Sequence, residues 1–261
     1  MRVAVLGLGE AGSIYASDLV DRGADVIAVD LIGPSTPEPH PRASDIAEAV
    51  TGADLVLSLV GARSAPTVLA EALPAMSPSA TYADMNTASP EEKKRLAERA
   101  AGRGISFADV AILAPVPRAR ADTALMVSGA GAERAVEIFA SYGMPATFAG
   151  DQAGAAAGMK LLRSVFMKGL AALAFESVEA ADAVGEREWV IAQMASELGP
   201  NGHELIEHLL AGTTRHAVRR ETEMRDVQAY LDSLGAAHPM TDATVAWLGE
   251  IARRPLAGGT A

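Results

Sequence analysis

The chain has 261 residues, 49% of them hydrophobic and only 4% aromatic, with a formal net charge of −11 and no cysteine. That length supports one large or two modest domains with real cores. The acidic balance argues against nucleic acid or an anionic membrane as partner, and the missing cysteines exclude a disulfide framework, a thiol nucleophile and a thiolate metal site. No apolar run reaches the roughly 18 residues of a membrane span, and Met1 leads directly into a strand-like run. The expectation is a cytoplasmic protein with no signal peptide.

Arg2 to Leu6 is a short β-branched run that enters Gly7-Leu8-Gly9-Glu10-Ala11-Gly12 and then a helix-like segment, Ser13 to Arg22. A second apolar run, Asp25 to Val29, ends on Asp30. Strand, glycine turn, helix, strand and acid form the order of a dinucleotide-binding βαβ unit. Gly7 suits the tight turn, Gly9 the approach of a pyrophosphate, and Gly12 close packing of helix on sheet. Leu8, Glu10 and Ala11 complete the turn, whose N–H groups face the phosphates at the positive helix start. Glu10 is expected to point to solvent, since a carboxylate beside a pyrophosphate is repelled. Asp30 lies 18 positions after Gly12, near the roughly 20 expected for an acid on the adenosine ribose. It repels a 2′-phosphate, so NAD is favoured over NADP.

Leu31 to Pro41 carries four prolines and reads as a loop near the adenine end of the cofactor. Ala43 to Val50 reads as a short helix, Asp54 to Val60 as a strand covered on both faces, and Pro66 to Leu73 as a helix that Pro74 breaks. Thr81 to Met85 is a strand ending in Asn86-Thr87-Ala88-Ser89-Pro90. Ser89 is a natural N-cap and Pro90 a natural first residue for the helix that follows, to about Gly102. Lys93 and Lys94 are read as its solvated face. Ile105 to Val110 is strand-like and carries Asp109. A loop with Pro115, Pro117, Arg118 and Arg120 follows, then strand Thr123 to Ser128, helix Ala132 to Tyr142 and strand Ala146 to Ala149. This alternation predicts an α/β, Rossmann-type, mostly parallel sheet over residues 1–150.

From Asp151 the strand-like runs vanish, and residues 151–261 are expected to form an all-α domain. Its helices are placed at Gly154 to Ala183, Glu186 to Leu198, His203 to Leu210, Thr214 to Leu234 and Thr241 to Ala252, with a fraying tail after Arg253. Trp189 and Trp247 read as core or interface anchors. His203 and His208 are five apart, off the spacing of a metal pair, so no metal site is expected.

Ligands of an open parallel sheet bind beyond the carboxyl ends of its strands. Leu59, Val60, Asn86 and Thr87 are therefore expected against the cofactor, and Ala88, Asp109 and Ala111 toward the substrate. On the helix after Gly154, residues Ala156, Ala157, Lys160, Ser164 and Lys168 share one face. Small residues there leave the Lys160 ammonium over a shallow surface, with Ser164 one turn on to donate to substrate or orient the lysine. An unperturbed lysine titrates near 10.4, and burial beside an oxidised nicotinamide lowers it. The plain alternative for Lys160 is a solvated lysine. His216, with Arg219, Arg220 and Glu223, suits an anionic substrate, although a surface ion-pair patch or dimer contact is the plainer reading.

The glycine turn, the run Asp84-Met85-Asn86-Thr87-Ala88-Ser89-Pro90 and the helix Gly154 to Ser164 occur in the order seen in β-hydroxyacid dehydrogenases, which this sequence resembles over essentially its whole length. That family includes 3-hydroxyisobutyrate dehydrogenase, tartronate semialdehyde reductase and the cofactor domain of 6-phosphogluconate dehydrogenase. The resemblance implies an NAD(P)-dependent oxidoreductase acting on a small, anionic hydroxy acid or its aldehyde or ketone. It makes Lys160 the general acid/base and implies a homodimer through the helical domain. Three departures stand out. Ser164 replaces the usual asparagine. Asp109-Val110-Ala111-Ile112-Leu113-Ala114-Pro115-Val116-Pro117 lacks the family's serine-glycine-glycine. Arg225-Asp226-Val227 stands where Lys-Asp-Leu is usual, which implies a cofactor contact for Arg225. The run His216 to Met224 resembles a branch with a C-terminal domain of unassigned function. Two other readings keep the fold: an imine reductase acting on C=N, and a non-catalytic dinucleotide sensor.

Overall fold

A computed structural model of the chain describes residues 1–30 and 41–254. Residues 31–40 of the loop expected over Leu31 to Pro41, and the tail from 255, lie outside the described residues. The chain divides into two compact units, Met1–Lys160 and Leu161–Ala261.

The first unit runs β1 (Arg2–Leu6), α1 (Glu10–Asp21), β2 (Asp25–Val29), α2 (Ile46–Val50), β3 (Leu55–Ser58), α3 (Ala65–Ala72), β4 (Thr81–Asp84), α4 (Pro90–Ala101), β5 (Ser106–Ile112), α5 (Val116–Ala119), β6 (Leu125–Ser128), α6 (Ala132–Ser141) and β7 (Ala146–Phe148). These strands make one seven-stranded sheet in the order β2-β1-β3-β4-β5-β6-β7. All neighbours are parallel except β5 and β6. The exception has a local cause. Helices α1, α3, α4 and α6 span parallel returns, whereas residues 113–124 between β5 and β6 hold only α5 and a single 3₁₀ turn.

Period-two alternation sends the strand side chains to two apolar layers. Val3, Val5, Leu55, Leu57 and Val110 pack with Tyr15 and Leu19 of α1 and with Ile138 and Phe139 of α6. Ala4, Leu6, Val56, Tyr82 and Phe107 pack on the other face with Ile46, Leu69 and Leu96 of α2, α3 and α4. Covered on both faces, the strands are continuous apolar runs, as buried parallel sheets require. A buried Phe107→Ala change would remove about 3–5 kcal/mol.

The caps follow the sequence. The Asp45 side chain accepts from Glu48 N at 2.8 Å at the start of α2, and the Ser89 hydroxyl accepts from Glu92 N at 3.2 Å ahead of Pro90 in α4. The surprise on α4 is Lys93. It is 1% exposed, not part of a solvated face, while Lys94 beside it is exposed as expected.

α7 (Ala155–Asp182) leads into the second unit, which adds α8 (Arg187–Glu197), α9 (Gly202–Ser233) and α10 (Pro239–Arg253). Leu161, Met224, Val227, Leu231, Val245 and Leu248 join α7, α9 and α10. Val178, Ile191 and Ile206 join α7, α8 and α9. Two helices expected on either side of Gly212 are one helix, α9, bent at His216, whose φ −124° and ψ 24° are non-helical. Arg220 spans the bend, its Nη1 donating to Thr213 Oγ1 at 2.6 Å. Trp189 is 61% exposed and so anchors no core within its unit. Trp247 is partly covered, with the Arg254 guanidinium 5.0 Å over its ring.

His238 ties α10 to the end of α9, its ring nitrogens 2.9 Å from Asp232 Oδ1 and 2.8 Å from Asp242 Oδ1. Hydrogen bonds to Asp232 and then Asp242 raise its pKa above the ordinary histidine value. A raised folded-state value gives stability that is complete below the unfolded value, about 6.5, and is lost as pH rises through the folded value. The thermal midpoint of the protein should therefore fall on going from mildly acidic to mildly alkaline pH, and His238→Gln should flatten that slope. An unchanged slope in His238→Gln would remove this ring from the account.

Candidate functional site

Because β1 to β5 run parallel, their carboxyl ends share one edge of the sheet. The strand order reverses between β1 and β3, which is where open sheets of this kind bind ligands. Gly7 follows β1 with φ +91°, and a Cβ there would lie 2.7 Å from Leu59 O. Only glycine fits the turn. A Cβ on Gly12 would lie 1.9 Å from Gly7 O, so α1 sits directly on the turn that precedes it. Gly9 is different, since its missing Cβ faces nothing within 4 Å. Gly9 is also the N-cap of α1, with no side chain filling the cap. An open, uncapped helix start fits a phosphate group. Glu10 is exposed.

Asp30 follows β2, and its Oδ2 accepts from Leu8 N at 2.8 Å, tying the acid to the glycine turn. Leu59 and Val60 follow β3 and are half-buried. Asn86 is almost fully buried and does scaffold work. Its Oδ1 accepts from Gly61 N at 2.7 Å, and its Nδ2 donates to Ser58 Oγ at 3.1 Å and to Asp84 Oδ1. The side chain that reaches the surface beyond β4 is Thr87, next to half-buried Ala88.

Lys160, six residues into α7, donates from Nζ to Thr87 Oγ1 at 3.2 Å. This ammonium therefore stands at the same sheet edge as the glycine turn. The start of α7 is held by Asp109, whose Oδ2 accepts from Gly154 N and Ala157 N, both at 3.1 Å. Ser128 helps, its Oγ accepting from Ala156 N at 3.0 Å.

The substrate-side expectations fare differently. Asp109 is fully buried inside β5 and its carboxylate is committed to α7 and to Lys93, 3.1 Å from Oδ1. Ala111 is buried in the same strand. The segment expected as a proline loop forms α5 and a 3₁₀ turn instead, with Val116 and Ala121 in the core. Asp18 pins it, accepting from Ala121 N at 2.9 Å and from the Arg120 guanidinium. Arg120 is left at φ +51°, a strained position for a side-chain-bearing residue. In the second unit Ser164 is buried and accepts from Lys168 Nζ at 3.0 Å, while Lys168 pairs with Glu223 at 3.2 Å. Arg225 is exposed and pairs with Glu221 at 2.7 Å. His216 is the half-buried bend of α9.

Sequence reasoning missed Lys93. Its Nζ donates to Asp84 O at 2.8 Å and lies 3.0 Å from Asp84 Oδ2. The signal that was available is spacing. Lys93, Leu96 and Ala100 lie three and four apart on the buried face of α4. Removing one partner of a buried pair costs about 3–5 kcal/mol.

A sheet with its reversal between β1 and β3, a glycine turn at that reversal and an acid after β2 define a Rossmann-type dinucleotide-binding protein. A family described as the NAD binding domain of 6-phosphogluconate dehydrogenase matches residues 2–150. The chain belongs to that family. Residues 181–251 match a domain of unknown function, DUF1932. Among solved structures, a conserved protein of unknown function, described as similar to 3-hydroxyacid dehydrogenases, is 28% identical with a TM-score of 0.78, covering 96% of each chain. A 3-hydroxyisobutyrate dehydrogenase from Salmonella typhimurium is 17% identical with a TM-score of 0.79, covering 95% of this chain and 93% of its own. An imine reductase from Streptomyces aurantiacus is 20% identical with a TM-score of 0.66, covering 96% and 94%. The last two show the shared fold.

The glycines separate binding from folding. Gly9→Ala adds a methyl to open space and should keep the wild-type melting temperature while weakening NADH binding at least about tenfold, or 1.4 kcal/mol. Gly12→Ala should lose both. Fluorescence titration of NADH beside thermal melts checks the contrast, and wild-type affinity in Gly9→Ala would contradict it.

Proposed function

We propose that the chain is an NAD(P)-dependent oxidoreductase acting between a small, anionic hydroxy acid and its aldehyde or ketone, with Lys160 as general acid/base. Family membership supports the nicotinamide dinucleotide. The observation that carries the rest is the Lys160 ammonium bonded to Thr87 at 3.2 Å, at the sheet edge that also carries the glycine turn.

When bound, the cofactor accepts or supplies hydride at its nicotinamide. Gly7, Gly9 and the first turn of α1 would hold the pyrophosphate through backbone N–H groups, with Leu8, Glu10, Ala11 and Gly12 shaping that turn. Asp30 would take the ribose hydroxyls, and its charge opposes a 2′-phosphate, so NADH should bind more tightly than NADPH. Leu59, Val60 and Thr87 would line the approach to the nicotinamide. Lys160 would take the hydroxyl proton in oxidation and return it in reduction, with Ala88 beside Thr87 on the substrate side. The sequence implies substrate roles for Ser164 and His216, and the resemblance a cofactor role for Arg225. Asp109 acts from inside the sheet, by holding the start of α7.

The fold is shared with imine reductases, and α5 replaces the family's serine-glycine-glycine loop, so C=N reduction is the second reading. A homodimer through α7 is proposed on its exposed apolar residues. Leu162, Phe166 and Leu173 lie on one face of that helix and are 46%, 66% and 59% exposed. Phe166→Glu should then yield a monomer by light scattering, and an unchanged assembly would place the contact elsewhere.

The direct test is absorbance at the reduced nicotinamide band against hydroxy acids, sugar acids and cyclic imines, with both cofactors. Lys160→Ala should abolish turnover and leave NADH affinity within about threefold of wild type. Wild-type turnover in Lys160→Ala would overturn the assignment. NADH binding without transfer to any substrate would favour a sensor.

A further inference from the structure

Lys93 is 1% exposed, on the buried face of α4, and none of the chemistry above uses it. Its Nζ meets three oxygens of two adjacent strands: Asp84 O at 2.8 Å, Asp84 Oδ2 at 3.0 Å and Asp109 Oδ1 at 3.1 Å. Asp84 Oδ2 and Asp109 Oδ1 have no other hydrogen-bond donor among the described residues. The ammonium is thus the sole answer to one oxygen on each carboxylate.

The remaining oxygen of each carboxylate leads to a different half of the Lys160–Thr87 contact. Asp84 Oδ1 accepts from Asn86 N at 3.3 Å and from Asn86 Nδ2, fixing the turn that presents Thr87. Asp109 Oδ2 accepts from Gly154 N and Ala157 N at 3.1 Å, fixing the first turn of α7, which presents Lys160. We infer that Lys93 is a positioning residue that sets where the Lys160 amine stands, by clamping Asp84 and Asp109 in one register. The inference rests on the reading of Lys160 as the acid/base group.

The chain has four lysines, Lys93, Lys94, Lys160 and Lys168, so every ε-amine can be followed at once. The experiment is competitive labelling with trace acetic anhydride from about pH 7 to 11, with each lysine read by mass spectrometry. Exposed Lys94 serves as internal reference. The main variant is the double change Asp84→Asn with Lys93→Met. It removes one negative and one positive charge together, so the buried site keeps its net charge and Asp109 keeps its α7 amides. Thr87→Val is the control that cuts the contact at its far end.

In Thr87→Val the Lys160 labelling rate relative to Lys94 should change by at least about threefold. The double variant should change it in the same direction and by a similar factor, with the Lys168 ratio unmoved and a cooperative melt retained. A Lys160 ratio that stays at the wild-type value in the double variant overturns the proposal. So does an equal change at Lys168, which would mean general loosening of α7. If the double variant does not fold, Lys93→Arg decides. Its planar fork cannot meet the same three oxygens, so Lys160 labelling should shift, and an unshifted profile overturns the proposal. An idle Lys160 would instead reveal itself in the turnover of Lys160→Ala, and these labelling ratios would still be readable.

Discussion

A carboxylate shut away from water must be answered by positive charge or by N–H groups. Asp109 is answered by both, with the Lys93 ammonium on one oxygen and the first turn of α7 on the other. With Asp84 included, two buried carboxylates face one lysine, which leaves one negative charge over. The positive end of α7 meets that excess. Strand β5, helix α4 and helix α7 are thus bound by electrostatics that cannot be relaxed by solvent. The Lys160–Thr87 contact is downstream of this arrangement. It joins a side chain set by α7 to one set by the end of β4.

The nucleotide half was legible because backbone rules wrote it. Gly7 and Gly12 are dictated by close approaches, to Leu59 O and to the turn itself, that no side chain survives. The strands were legible because sheets covered on both faces need unbroken apolar runs. Lys93 was illegible for the opposite reason. In Glu91-Glu92-Lys93-Lys94-Arg95 it looks like one more charge on a surface helix, and only the arrival of Asp84 and Asp109 from other strands makes its burial possible. Long-range pairing of this kind has no local signature. The sequence divides His203 to Leu210 from Thr214 to Leu234, but Gly212 between them is tolerated inside α9, against Arg220, and the bend falls at His216.

The segment after β5 and the Ser164 position depart from the pattern of the family the sequence resembles. The segment after β5 gives up a glycine-rich loop for α5 and is pinned through Asp18, at the cost of backbone strain at Arg120. Ser164 engages Lys168, and Lys168 engages Glu223. A polar chain along α7 and α9 thus engages Ser164, the position where the family uses asparagine. The glycine turn keeps the close approaches of a dinucleotide fold, and the segment after β5 departs from the family pattern.

The central claim is that one ammonium and one nicotinamide meet at the carboxyl edge of a single sheet. A crystal structure of the protein with NADH bound measures this most directly. The account predicts the pyrophosphate on the Gly7 to Gly12 turn and the nicotinamide ring beside Thr87, within reach of Lys160 Nζ. A dinucleotide bound with its ring on the far side of the glycine turn, or a Lys160 amine turned away from it, would contradict the account.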